Sequence, residues 1–124
     1  MGPEILLIDS DAAHRETIEN PLLAAGYRVD AIAHGDAVAH ISREDMSRYS
    51  AVLVTLTEEP SSLAASHQMG EYVVHFISQL CPEVLPRVIA MTALEIVSTS
   101  VASRCRIVCE PMESDQLLAA VRAS

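Results

Sequence analysis

Four carboxylates, Asp9, Glu58, Glu59 and Glu110, stand at or just after apolar runs. Asp9 ends EILLID, Glu58 and Glu59 follow AVLVTLT, and Glu110 follows RIVC. If those runs are strands of one sheet, the acids meet at one edge, and an oxygen-rich edge suits Mg²⁺ or Ca²⁺. The plainer reading is solvated loop acids with Asp9 as a cap, and no metal site is expected. Thr55 and Thr92 would bring hydroxyls to the same edge. His67 and His75 share a face in a helical stretch but lack a third ligand, and His14, His34 and His40 read as rim residues. Cys105 and Cys109 fall on one face of a strand, as small buried hydrophobes. Cys81 precedes Pro82 with no basic neighbour to lower its pKa. No complete catalytic constellation is present, and the chain is not expected to be an enzyme.

These residues must be positioned by elements that alternate along the chain. The aliphatic run 4–9 has the look of a strand covered on both faces. Asp9-Ser10-Asp11 then offers cap chemistry for a helix ending at Gly26, with Ile18, Leu22, Leu23 and Ala25 towards the core. Pro21 inside it predicts a bend near Glu19–Asn20. Residues 28–33 alternate as a second strand, and Gly35-Asp36 opens a short helix with Val38 and Ile41 inward. Residues 50–56 form the third strand. TEEPSSLAASHQMG reads as a long polar connection. Met69, Val73, Phe76, Ile77 and Leu80 mark an amphipathic helix, bracketed at its exit by Pro82 and Pro86. Residues 87–91 and 106–109 are the last two strands, separated by a weak Ser/Thr-rich helix. SDQLLAAVRA is a capped terminal helix with Leu117, Leu118 and Val121 inward.

Five such units in 124 residues imply one α/β domain over 1–124, a doubly wound parallel sheet with helices on both faces. In that architecture the functional crevice lies at the carboxyl ends of the strands. Half the residues are hydrophobic, enough for a core without disulfide or metal. A net charge of −9 with eight Lys plus Arg repels phosphate backbones and anionic membranes, so neither direct nucleic-acid nor membrane binding is expected. No apolar run approaches the ~18 residues of a membrane span. Three cysteines make an odd and sparse set, which suits a reducing cytoplasm better than a disulfide framework.

ILLIDSD, YSAVLVTL, LPRVIAMTA and CRIVCEPMESDQLLAAVRA, in that order, resemble the receiver domain of bacterial response regulators over nearly the whole chain. The resemblance implies a flavodoxin-like sheet in order 2-1-3-4-5. It also implies an edge where an acidic pair holds Mg²⁺, an aspartate accepts a phosphoryl group, and a Thr/Ser and a lysine hold the product. Asp9 keeps half of the acidic pair and Ser10 replaces the other half. Thr55 stands at the acceptor position, and the loop to Pro60 is one residue longer. Thr92 and Pro111 match, whereas Glu110 replaces the lysine. The stretch from Thr92 to Glu110 is shorter by roughly one helical turn, and Ile107 takes the aromatic switch position. The surface that dimerises on phosphorylation in active receivers is thus expected to be remodelled.

A carboxylate ~4 Å from a phosphoryl oxygen costs about 4 kcal/mol per unit charge at an effective dielectric near 20. Replacing lysine by Glu110 therefore swings the balance by several kcal/mol. The expectation is a degenerate, phosphorylation-independent receiver (a pseudo-receiver) without cofactor, with a solvent-facing edge. It would act in bacterial two-component or phosphorelay signalling through a protein partner, a homodimer or a covalently linked effector, as the N-terminal domain of a transcription regulator. The pattern is also similar to the degenerate receivers that precede the ATPase module of flagellar enhancer-binding activators. The alternative is a phosphoacceptor or a small-ligand or divalent-metal sensor using a rearranged acidic site.

Overall fold

The computed structural model describes residues 3–9, 11–43, 46–55, 63–92, 105–109 and 114–122. Five strands, β1 (Glu4–Ile8), β2 (Arg28–Ile32), β3 (Tyr49–Thr55), β4 (Val88–Thr92) and β5 (Arg106–Cys109), alternate with helices α1 (Ala12–Ala24), α2 (His34–Arg43), α3 (Leu63–Leu80) and α4 (Ser114–Arg122). The sheet runs in order β2-β1-β3-β4-β5, and every pairing is parallel.

The order follows from where the apolar residues are. β1 and β3 are central strands, and Ile5 to Ile8 and Ala51 to Val54 are fully buried. Period two sends alternate residues to opposite faces. Leu6, Ile8, Val52 and Val54 pack with Ala37 and Ile41 of α2 and with Val73, Val74 and Ile77 of α3. Ile5, Leu7, Ala51 and Leu53 pack with Ile18 and Leu22 of α1 and with Leu117 and Val121 of α4. A sheet apolar on both faces needs two helical layers, and the described residues supply two helices to each.

α1 starts at Asp11, whose carboxylate accepts the Ala13 and His14 amides at 3.0 and 3.3 Å. It ends in a Schellman turn, with Gly26 N–H donating to Leu23 O and Tyr27 N–H to Leu22 O. Gly26 takes φ +95° there, a conformation an L side chain resists. Pro21 lies inside one continuous helix. It removes one amide, and the ladder resumes with the Ala25 amide on Pro21 O.

Several inward assignments change. Leu23 is 49% and Leu80 51% exposed, and Ala25 is also exposed. Ala37 and Val74 are fully buried in their stead. In α2 the inward line is Ala37–Ile41, with Val38 only half-buried. α3 begins at Leu63, so the second half of the polar connection is helical. The Ser/Thr-rich stretch between β4 and β5 lies outside the described residues. Pro82–Arg87 form a 3₁₀ turn that leads directly into β4.

Candidate functional site

The carboxyl ends of the central strands bring two of the expected site residues together. Ile8 is in register with Val54, and Thr55 with Met91. Asp9 and Thr55 therefore end adjacent strands, and the backbone of Thr92 extends β4 at the same edge, in register with Cys109. The side chain of Thr92, and all of Ser10, Glu58, Glu59 and Glu110, lie outside the described residues. So does the side chain of His67.

Asp9 and Thr55 are the two polar residues buried among the described ones, at 1% and 0% exposure. A buried polar group must be satisfied, and both are. The Thr55 hydroxyl donates to Ile8 O at 3.0 Å. It serves the sheet, and the expectation of a solvent-facing edge fails at this position. The Asp9 amide donates to Ile32 O at 2.9 Å, tying the edge to β2. One Asp9 carboxylate oxygen, Oδ1, accepts the Asp11 amide at 2.9 Å. The other, Oδ2, is held by His14 Nδ1, and the Arg15 guanidinium donates to Asp9 O at 3.0 Å.

His14 is thus not a rim residue. It and Arg15 were missed because an acid followed five and six residues later by bases is not by itself a signal. The Asp11 cap supplies the geometry by fixing the first turn of α1. As arranged, the described residues do not fit a divalent cation. Both Asp9 oxygens have partners within the chain, and a magnesium site wants several oxygens pointing at one centre. Among the described residues no group of three or more His, Cys, Asp or Glu side chains converges to hold a metal.

A second polar cluster lies towards the amino end of the sheet. The fully buried Tyr49 donates its hydroxyl proton to Asp30 at 2.8 Å and accepts from Arg48 at 2.6 Å. Its third contact, 2.8 Å from His40 Nε2, must then have the imidazole as donor. Arg48 also lies over the Tyr49 ring, 4.7 Å from its centroid. Arg87 donates to Tyr49 O at 2.8 Å. Burial raises the Tyr49 pKa to about 12, against the opposing pull of Arg48. His40 also lines an open groove of about 310 Å³ beside α2, with Ile32, Asp36, Ala39 and Arg43. Neither Asp9 nor Thr55 lines that groove.

The two described thiols, Cys81 and Cys105, are not poised for chemistry. Burial pushes Cys105 up to about 11, and burial with nearby Glu83 raises Cys81. A nucleophilic cysteine needs the opposite shift.

No protein-family model matches the sequence, and no curated protein matches it significantly. Solved structures do match in fold. A CheY-like response regulator receiver domain from Methanospirillum hungatei JF-1 is 19% identical with a TM-score of 0.73, covering 98% of this chain and 92% of that one. The receiver domain of a sensor histidine kinase from Pseudomonas aeruginosa PAO1, solved with a magnesium ion in its active-site cleft, is 24% identical with a TM-score of 0.73. That match covers 98% of this chain and 96% of that one. NtrX from Brucella abortus is 22% identical with a TM-score of 0.73, covering 99% of this chain and 27% of that one. The fold of this chain is accordingly the CheY-like receiver fold.

Proposed function

We propose that this chain is a degenerate receiver domain that works in bacterial two-component signalling without being phosphorylated. The observation that carries the reading is the state of the two buried edge residues. Where a receiver would present an aspartate, Thr55 turns a buried hydroxyl to Ile8 O. Where it would present a metal-binding carboxylate, Asp9 is engaged by Asp11 and His14. A threonine hydroxyl used this way is a poor nucleophile. The alternative of a metal or ligand sensor would need the Asp9 oxygens for its ligand, and the chain already uses them.

Function then rests on surfaces. We assign the domain a protein partner, either a second copy or a covalently linked effector, and no direct contact with nucleic acid or membrane. The acidic balance of −9 supports the exclusion, and no described helix is long and apolar enough to cross a membrane. Some similar structures are much longer chains, as the 27% coverage of NtrX illustrates, which supports a linked effector. We place the domain in the cytoplasm on the strength of its sparse cysteines, three in the whole chain, which suit a reducing compartment.

Incubation with a small-molecule phosphodonor and Mg²⁺, followed by intact-mass measurement, tests the reading. The expected result is an unmodified mass. A gain of one phosphoryl group would overturn it.

A further inference from the structure

Ser10, Thr55 and Glu110 explain which groups the edge lacks. His14 is a group that is present. We infer that His14 takes the place of a divalent cation at Asp9, so that the edge is closed to metal from within the chain as well as depleted of ligands. The inference rests on the proposed loss of phosphoryl chemistry and names a fourth determinant of it.

Asp9 is 1% exposed, so its carboxylate requires a compensating partner. In this chain that partner is His14 Nδ1 on Oδ2, while Oδ1 takes the Asp11 amide. The arrangement is built in. The Asp11 side chain caps the Ala13 and His14 amides, which fixes the backbone that carries the imidazole. Arg15, one residue on, donates to Asp9 O and brings a permanent positive charge into the same loop. A metal ion arriving at Asp9 has to displace the imidazole and approach the Arg15 guanidinium. Asp11 is the nearest other acid in the loop, and one of its oxygens is already committed to the cap. Restoring carboxylates at positions 10 and 55 alone would therefore leave the Asp9 corner occupied.

The test compares two proteins. Both carry Ser10→Asp and Thr55→Asp, which return the two missing carboxylates, and one also carries His14→Ala. Mg²⁺ affinity is read by calorimetric titration. The expected result is an affinity at least ~10-fold tighter without His14, equivalent to about 1.4 kcal/mol. His14→Gln, which keeps an N–H donor for Asp9, should fall between the two. Equal affinities would overturn the inference. If the paired carboxylates prevent folding, the comparison becomes His14→Ala against the natural chain, read by Mn²⁺ broadening of the Asp11 and Ala13 amide resonances. Broadening at lower Mn²⁺ in the variant supports the inference, and identical titrations overturn it. The two readings fail separately. Phosphoryl uptake by the natural chain would refute the proposed function, whereas equal metal affinities would refute only the role of His14.

Discussion

Towards the amino end of the sheet, Asp30, His40 and Arg48 converge on the hydroxyl of Tyr49. At the carboxyl end, Asp9 gathers Asp11, His14 and Arg15. Each cluster joins an acid, a histidine and an arginine, but their reach differs. The partners of Tyr49 come from β2, from α2 and from the turn before β3, and Arg87 reaches its carbonyl from the 3₁₀ turn before β4. The side-chain contacts of Asp9 stay within one loop and the first turn of α1. The first cluster spans elements and holds the fold together. The second satisfies one buried carboxylate locally and can change without moving a strand. Chemistry at the carboxyl edge could thus be lost, and could be restored, while the scaffold stayed intact.

The largest expected effect is a regained reaction. Ser10→Asp, Thr55→Asp and Glu110→Lys together should give detectable phosphorylation by a small-molecule donor at high Mg²⁺, and more when His14→Ala is added, with none in the natural chain. The electrostatic swing at position 110 alone, several kcal/mol by the Coulomb estimate, corresponds to roughly a thousandfold or more in an equilibrium constant. Thr55→Asp alone should stay inert, because Glu110 would still oppose the product. Because Thr55 is fully buried, the triple variant should also melt at a lower temperature than the natural chain. Intact mass and thermal denaturation check the two halves of this prediction. Dimerisation should not respond to the phosphoryl group, which sedimentation before and after phosphorylation would reveal.

Next in size is the scaffold cluster. Tyr49→Ala should cost about 3–5 kcal/mol of stability, the range for deleting a buried aromatic side chain. Tyr49→Phe, which removes the hydroxyl's hydrogen bonds to the charged Asp30 and Arg48 while leaving those two paired, should cost about 1–3 kcal/mol. Urea denaturation of the two variants separates packing from hydrogen bonding.

Alkaline pH should expose the same cluster without mutation. Tyr49 titrates near 12 in the folded protein against about 10 when unfolded. Between those values the unfolded chain loses its proton first, so the unfolded state is favoured increasingly as pH rises. The contribution of Tyr49 is complete below pH ~10 and is lost towards pH ~12. Tyr49→Phe should flatten that part of the stability profile. A profile unchanged by the substitution would mean that Tyr49 is not held as described.

The smallest effect belongs to the local cluster. His14→Ala should cost about 1–3 kcal/mol by leaving a buried carboxylate oxygen without its partner. The loss should fall at the low end of that range, because the loop can re-solvate. A loss as large as that of Tyr49→Ala would erase the contrast between the two ends of the sheet.

Much of the fold was legible in the sequence, because the signals are local and repeated. EILLI and AVLV are unbroken aliphatic runs and could only be central strands, which is where β1 and β3 lie. Asp9-Ser10-Asp11 and Gly26 marked the two ends of α1 by cap chemistry and backbone freedom, and the structure gives the cap to Asp11. Helix faces were less legible. Leu23 and Leu80 are apolar but turn outward, and Ala37, a small residue with a weak pattern signal, turns inward. The angle at which a helix meets the sheet decides such cases, and periodicity does not contain it.

By itself the sequence determined that the chain alternates strand and helix, and its resemblance to receivers raised the expectation of Thr55 and Glu110 where phosphoryl chemistry wants an aspartate and a lysine. Residue types are enough for that, since a missing carboxylate or cation is missing in any conformation. Only the tertiary structure decided what the remaining polar groups do. It turned the Thr55 hydroxyl onto β1 and closed Asp9 with His14. It also drew Asp30, His40 and Arg48 around Tyr49. The physical reason is burial. A polar group removed from water takes whichever partner the packed elements bring within reach, and that choice exists only after the elements have packed.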